Sequence, residues 1–322
     1  MSELTMLQLA DRLKQCQDAY IFIHQSPDGD CVGAGYALAE MLHQMGKRAA
    51  VLCSDPISER YQFMLPSQQS VDFSPQCRIA VDVADPKLLG DKVKEQYGNE
   101  IDLCIDHHAS NVAYAKERYL DGAASATCEI LFQLIAYLPV TLNPQIATCL
   151  YTGIATDTGC FQYSNVRPET HLAVAQLMAE CGAVNYSEIN RRMFAVKSMG
   201  RLHLEQQLID RMEQYFNGAC VLISITQAFL QNFHIDEAEL DGIAGFPLQV
   251  EGAEVGITMK EREPGKFRVS MRSANRVDVS AICQTLGGGG HVKASGCLVY
   301  GTEEEAKKIL LQAVENQLSA MH

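Results

Sequence analysis

The sequence predicts an α/β protein in two parts: an N-terminal doubly wound parallel sheet over residues 1–183 and a smaller C-terminal α/β domain over 218–322, joined by a helical linker over 184–217. Two observations carry this. In the first half, short unbroken apolar runs alternate with stretches of helical character, the pattern of strands covered on both faces by crossover helices. After Gly218 the character changes to a hairpin, EVGITMKE and KFRVSMRS, turned by Pro264 and Gly265.

Taken in order, AYIFIH (Ala19–His24) reads as a strand, and CVGAGYALAEMLHQMG as a helix stopped by Gly46. RAAVLCS, RIAVDVAD and IDLCIDHH are further strands, each of four to six apolar residues ended by polar ones. Helices are expected at Ala124–Tyr137, Pro144–Ala155 and Pro168–Cys181. NYSEINRRMFAVKSMGRLHLEQQLIDRMEQY has helical composition and supplies the linker. Beyond it come the strand ACVLISI, the hairpin, a short helix near Val279–Leu286, a loop GGGGH, a strand ASGCLVY and a terminal helix TEEEAKKILLQAVENQL.

Composition bounds the function. The 322 residues, 47% hydrophobic and 20% charged, suffice for two ordinary cores. No stretch approaches 18 uncharged apolar residues, so no membrane span is expected. The start, MSELTMLQLADRLKQC, lacks the apolar core of a signal peptide, which gives a cytoplasmic expectation. The twelve cysteines are scattered singly in apolar segments, without C-x-x-C, as free thiols in a reducing compartment would be; this argues against a cysteine-zinc site. A net charge of −13 argues against adhesion to long duplex nucleic acid, though not against a small phosphate substrate.

The informative feature is where polar residues interrupt the apolar segments. AYIFIH runs into His24, Asp28 and Asp30; RIAVDVADP carries Asp82; IDLCIDHH ends in Asp106, His107 and His108; GIATDTG carries Asp157. In an open α/β sheet, ligands bind beyond the carboxyl ends of the strands, so these groups converge although distant in sequence. Each has an ordinary alternative: Asp-Gly-Asp as a helix cap, Asp82 and Asp157 as turn or cap residues, and the His-His pair as polar packing. Together they would repel one another without cations. Carboxylates and imidazoles without thiolates favour Mn²⁺ or Mg²⁺, with imidazole tilting the choice to Mn²⁺. Gly29 reads as freedom for the turn to wrap around the ions.

The second domain offers phosphate-binding features. Alternation in KFRVSMRS sets Arg268, Ser270 and Arg272 on one face, where an arginine grips phosphate or is simply solvated. Gly287–Gly290 let backbone N–H groups approach an anion, or form a flexible loop. Phe161 and Tyr163, just after Asp157, stack on a base or pack beside a helix end.

The motifs H-x3-D-x-D, a separate D, D-H-H and T-D-T-G resemble the DHH phosphoesterase superfamily, and GGGGHVKASG resembles the glycine-rich signature of its DHHA1 domain. From about Ala19 to Tyr300 the layout is similar to the bacterial nanoRNase and pAp-phosphatase group. The resemblance implies two Mn²⁺ ions, with Mg²⁺ or Co²⁺ as substitutes. His24, Asp28 and Asp82 would hold one, and Asp30, Asp82, His107 and Asp157 the other, with Asp82 the bridge and a shared activated water between them. It gives Asp106 the task of orienting a histidine, and His108 that of facing the substrate phosphate. It places Arg272 and Ser273 at the R-S substrate motif, and adds Gly289, Gly290, His291 and Ser295 as substrate-binding residues. The implied activity is hydrolysis of short oligoribonucleotides to mononucleotides and of pAp to AMP. Cleavage of linear or cyclic dinucleotides, hydrolysis of pyrophosphate or polyphosphate, and a non-catalytic nucleotide-binding role stay open. The oligomeric state, a homodimer included, is also open.

Overall fold

A computed structural model describes residues 2–319 apart from 68, 99, 234–239 and 241. The chain divides into two compact units, Met1–Val196 and Lys197–His322.

The first unit is built on a six-stranded sheet: β1 (Ser2–Glu3), β2 (Asp18–Phe22), β3 (Arg48–Leu52), β4 (Cys77–Val81), β5 (Leu103–Asp106) and β6 (Glu117–Leu120), in the order β1-β6-β5-β4-β2-β3. All its pairings are parallel. The unbroken apolar strands have the expected cause. Ala19, Ile21 and Ile23 enter one core while Tyr20 and Phe22 enter the other, and Ile79 and Val81 oppose Ala80 in the same way. The larger core is closed by α1 (Met6–Gln15), α2 (Gly29–Gln44), α4 (Thr127–Ile135), α5 (Pro144–Asp157) and α6 (Pro168–Glu180), while α3 (Gly90–Tyr97) closes the other. β1 and β6 escape the pattern of the sequence. β1 is two residues long, and ERYL of β6 is half-buried throughout and has no apolar run.

Between Val184 and Gly218 lie α7 (Tyr186–Asn190), a π-helical turn (Arg191–Ala195) and α8 (Met199–Asp210), then a strand, β7 (Glu213–Tyr215), where the composition read as helix. The second unit contains a mixed sheet of β7, β8 (Cys220–Ile225), β9 (Val255–Glu263), β10 (Lys266–Ser273), β11 (Gly289–His291) and β12 (Ala294–Tyr300), in the order β11-β12-β10-β9-β8-β7. The short helix α9 (Gln227–Leu230) follows β8. One sheet face packs on α10 (Val279–Thr285) and α11 (Glu303–Ser319), through Phe267, Val269, Met271, Cys297 and Val299. Among the described residues no helix is long and apolar enough to cross a membrane.

One packing detail positions the site. At Gly29, the first residue of α2, an added Cβ would lie 2.3 Å from Thr156 Oγ1, and at Gly153 of α5 it would lie 2.2 Å from Cys128 Sγ. Gly29 is helical, so its missing side chain serves the close approach of α2 to α5 rather than a flexible wrapping turn. That approach brings the start of α2 beside the end of α5. Thr156 cannot swing away freely, because its hydroxyl donates to the carbonyls of Thr152 and Gly153. Gly29→Ala is therefore expected to lower stability by about 1–3 kcal/mol despite the better helix propensity of alanine. Adding Thr156→Ala should recover part of the loss; thermal melts of the single and double variants check this, and an unchanged melt for Gly29→Ala would refute the close-packing account.

Candidate metal centre

The carboxyl ends of β2, β4 and β5, the first turn of α2 and the last turn of α5 supply the polar groups named from the sequence. Asp28 is the N-cap of α2: its Oδ1 accepts the N–H groups of Asp30 at 3.1 Å and Cys31 at 3.0 Å. Its other oxygen, Oδ2, lies 3.5 Å from His24 Nε2. The cap and the polar cluster are thus the same residue. His24 Nδ1 donates to the Gln25 carbonyl at 2.9 Å, which leaves Nε2 facing inward. His107 is set the same way, with Nδ1 on the Ala124 carbonyl at 3.2 Å and Nε2 turned to Asp157 Oδ2 at 3.4 Å.

Asp82 lies between the two histidine groups. Its Oδ2 is 3.7 Å from His24 Nε2, while Oδ1 is 3.6 Å from His107 Nε2 and 3.5 Å from His108 Nδ1. Asp82 is 2% exposed and has a left-handed backbone at φ 58°, a costly conformation for a residue with a Cβ. Separations of 3.4–3.7 Å exceed ordinary hydrogen-bond lengths. They suit pairs of ligands sharing one cation at about 2.1 Å each.

Among the described residues three groups could hold a metal, each with ligand atoms within 4.8 Å of one another: His24, Asp28 and Cys31; Asp82, His107 and His108; and Asp30, His107 and Asp157, the last two sharing His107. Cys31 was not visible as a member from the sequence. It stands one helical turn after Asp28, and its thiol donates to the Asp28 carbonyl at 3.6 Å.

Asp106 is fully buried. Its Oδ1 accepts the N–H groups of His107 and His108 and the Nδ1–H of His108 at 2.8 Å, and its Oδ2 accepts Asn111 Nδ2 at 2.7 Å. It therefore orients His108 and leaves that ring's Nε2 as the outward nitrogen. Asn111, Thr127 and Asn165 are supports that sequence reasoning missed. Thr127 donates its hydroxyl to Asp82 Oδ1, and Asn165 donates to the Asp157 carbonyl. All three are ordinary polar residues in sequence, and their partners are revealed only by the fold.

The electrostatics reflect crowded anions. Burial, then the charges of Asp30 and Asp28, push the Asp82 carboxyl up to about 7. Burial and the charges of Asp30, Asp28 and Asp82 hold Asp157 well above the usual carboxylate range. Burial opposes the imidazolium of His108, but the Asp106 hydrogen bond and the Asp82 charge outweigh it and bring the group to about 9. For Asp28 burial is overcome by the neighbouring His24, and the carboxyl stays below its ordinary value.

In the second unit, Arg272 of β10 pairs with Ala294 of β12, which pairs with His291 of β11. Arg272 and His291 thus share one row and one face, about 10 Å apart at the backbone. Ser295 pairs with Met271 and, like Ser273, is buried on the opposite, helix-covered face. The Ser273 hydroxyl is buried without a hydrogen-bond partner. The glycine run is not a free loop. Gly287 and Gly288 donate their N–H groups to the Gln284 and Cys283 carbonyls, and Gly289–His291 form the edge strand. An added Cβ at Gly288 would lie 2.1 Å from the Gly296 carbonyl, so packing requires a glycine there. Gly289 and Gly290 lie in an edge strand, where successive N–H groups point alternately to β12 and to the free edge, rather than in a flexible cradle. Phe161 packs against Tyr151 and His171, whereas Tyr163 is 59% exposed.

Compared with known proteins, residues 18–154 match the DHH family N-terminal domain and residues 220–320 match the DHHA1 domain. The bifunctional oligoribonuclease and PAP phosphatase NrnA of Thermus thermophilus is 31% identical over 308 residues, covering 93% of this chain and 90% of the relative. The chain belongs to the DHH family. It is a hydrolase of the phosphoesterase class, as its DHH relatives are. The NrnA of Bacillus subtilis is 25% identical over 295 residues, 89% of this chain and 90% of that protein. An exopolyphosphatase-related protein from Bacteroides fragilis, 23% identical, shares the fold with a TM-score of 0.84 over 97% of this chain and 96% of that one. RecJ of Thermus thermophilus, solved in complex with Mn²⁺, is 12% identical with a TM-score of 0.54, over 96% of this chain and 54% of RecJ.

The raised carboxyls have a consequence for stability. A carboxyl raised in the folded chain contributes stability that is present below about pH 4 and lost as pH climbs through its folded pKa. For Asp82 that loss spans about pH 4 to 7, and the raised His108 loses its contribution above it, towards about 9. The lowered Asp28 contributes a constant amount across this window, since its contribution is lost only below it. Metal-free protein is expected to melt at progressively lower temperature from pH 5 to 8, with a stabilisation by Mn²⁺ that grows over the same range and a shallower slope in Asp82→Asn. A metal-free melt that is flat or rises with pH would refute the assignment.

Proposed function

We propose that the chain is a two-metal, Mn²⁺-dependent phosphoesterase that hydrolyses short oligoribonucleotides to mononucleotides and converts pAp to AMP. The observation that carries this is Asp82, whose two carboxylate oxygens face two different groups of donors, His24 with Asp28 and His107 with Asp30 and Asp157. Oxygen and imidazole donors favour Mn²⁺, with Mg²⁺ and Co²⁺ as substitutes. Cations held there would supply Lewis acidity and a nucleophile at neutral pH.

The side chains supply the rest. His108, fixed through Nδ1 by Asp106, presents Nε2 to the phosphoryl group, where its raised basicity suits it to neutralise charge or to protonate the leaving oxygen. Arg272 and His291, in one row, grip a substrate phosphate, with the edge strand of Gly289 and Gly290 beside them. Ser273 is packed on the helix-covered face, away from that row. Ser295 supports β11 from behind. Tyr163 is the exposed ring suited to stacking on a base, whereas Phe161 serves as packing. NrnA relatives along nearly the full chain support the nucleotide substrate over pyrophosphate or polyphosphate.

The test is an Mn²⁺-supplemented assay comparing pApA, a five-nucleotide RNA, pAp, cyclic di-AMP and pyrophosphate. Turnover is expected for the first three, and cleavage of pyrophosphate alone would sink the nucleotide reading. Asp82→Ala should abolish turnover with circular dichroism unchanged; near-normal turnover would remove Asp82 from the bridging position. Arg272→Ala should raise KM for RNA by roughly 10–100-fold, the worth of a lost charge-assisted hydrogen bond. An unchanged KM would exclude it from phosphate recognition.

A further inference from the structure

We propose that Thr127 is the positioning residue of this centre, its hydroxyl setting Asp82 and its backbone setting Asp30 before any cation arrives. The proposal rests on the metal reading above. It starts from a missing cap. The N-cap position of α4 is Ala126, which has no side chain to satisfy the orphan N–H groups of the first turn. Asp30 does this from α2, 97 residues away in sequence: its Oδ2 accepts the Thr127 N–H at 2.7 Å and its Oδ1 the Cys128 N–H at 3.0 Å. Both carboxylate oxygens of Asp30 are held by a rigid helix end, and each keeps a lone pair for a metal.

The Thr127 side chain completes the device. Thr152, Thr156 and Thr158 turn their hydroxyls back onto carbonyls of the preceding helical turn. Thr127, at the first position of its helix, has no such turn behind it. Its hydroxyl donates instead to Asp82 Oδ1 at 2.9 Å, and both residues are buried. The bond fixes the carboxylate plane of a residue whose backbone is already strained, with Oδ2 towards His24 and Oδ1 towards His107.

The strip around Thr127 is anchored independently. Glu129, fully buried, accepts the Ser125 N–H and hydroxyl, the Thr170 hydroxyl at 2.8 Å and Arg167 at 2.8 Å. Ala124, in the same strip, holds His107 through its carbonyl. One short segment, residues 124–129, therefore touches three of the proposed ligands without being a ligand itself.

The experiment measures metal binding rather than activity. Full-length protein stripped with chelator is titrated with Mn²⁺ while the paramagnetic resonance signal of free Mn²⁺ is followed, for wild type, Thr127→Val, Thr127→Ser and Thr127→Ala. Valine keeps the shape and removes the hydroxyl; serine keeps the hydroxyl. Thr127→Val should weaken Mn²⁺ binding about 10–100-fold, the usual effect of losing a group that orients a ligand, and Thr127→Ser should stay within about 3-fold of wild type. If the valine variant does not fold, Thr127→Ala, with the N–H to Asp30 intact, carries the same expectation. Wild-type affinity in the variant that lacks the hydroxyl overturns the proposal, as does an equal loss in serine. Wild-type protein that binds no Mn²⁺ overturns the metal reading and the role of Thr127 together.

Discussion

The first unit is organised around repulsion. Asp28, Asp30, Asp82 and Asp157 bring four carboxylates into a space where burial and mutual charge push Asp82 and Asp157 far above their ordinary range. Such a cluster persists only if the chain holds it open and something positive enters. The holding comes from backbone and helix ends: Asp28 on the first turn of α2, Asp30 on the first turn of α4, and Asp106 on the N–H groups after β5. The positive charge comes partly from His24, His107 and His108, and the Nε2 atoms of His24 and His107 stand 3.4–3.7 Å from carboxylate oxygens, wider than ordinary hydrogen bonds. The glycines between α2 and α5 are part of the same arrangement, since without that close approach Asp157 would stand apart.

The strands and the convergence of the polar cluster were legible in the sequence for a physical reason. β2, β4 and β5 are covered on both faces, so they are apolar without interruption and the polar residues after them stand out. β6, half-buried and polar, carries no such contrast. The cap reading and the ligand reading of Asp28 were rivals in the sequence; in the structure Oδ1 makes the cap while Oδ2 stays turned to His24, so one does not exclude the other. Gly29 and the glycine run misled in the same manner. A glycine reads as freedom, yet Gly29 and Gly288 are glycines because a neighbour leaves no room for a Cβ. Thr127 left no signal, since a threonine at a helix start is commonplace and its partner lies 45 residues away.

The second unit shows why a contiguous sequence motif is not a single surface. Arg272 and Ser273 are neighbours in sequence, and period two sends them to opposite faces of β10. Register then joins Arg272 to His291 on one face and sets Ser295 with Met271 on the other. A contiguous motif thus contains residues of two kinds, some on the open face and some packed on the helix-covered one.

The capping of α4 by Asp30 bears on how such a chain can diverge. Asp30 belongs to the proposed metal set and to the helix at once, whereas His107 and Asp157 cap no helix. A lineage losing its chemistry while keeping its fold would therefore not shed the ligands at random. His107 or Asp157 can go first at little structural cost, and an acidic residue at position 30 should outlast the activity it once served, a remnant kept by the architecture.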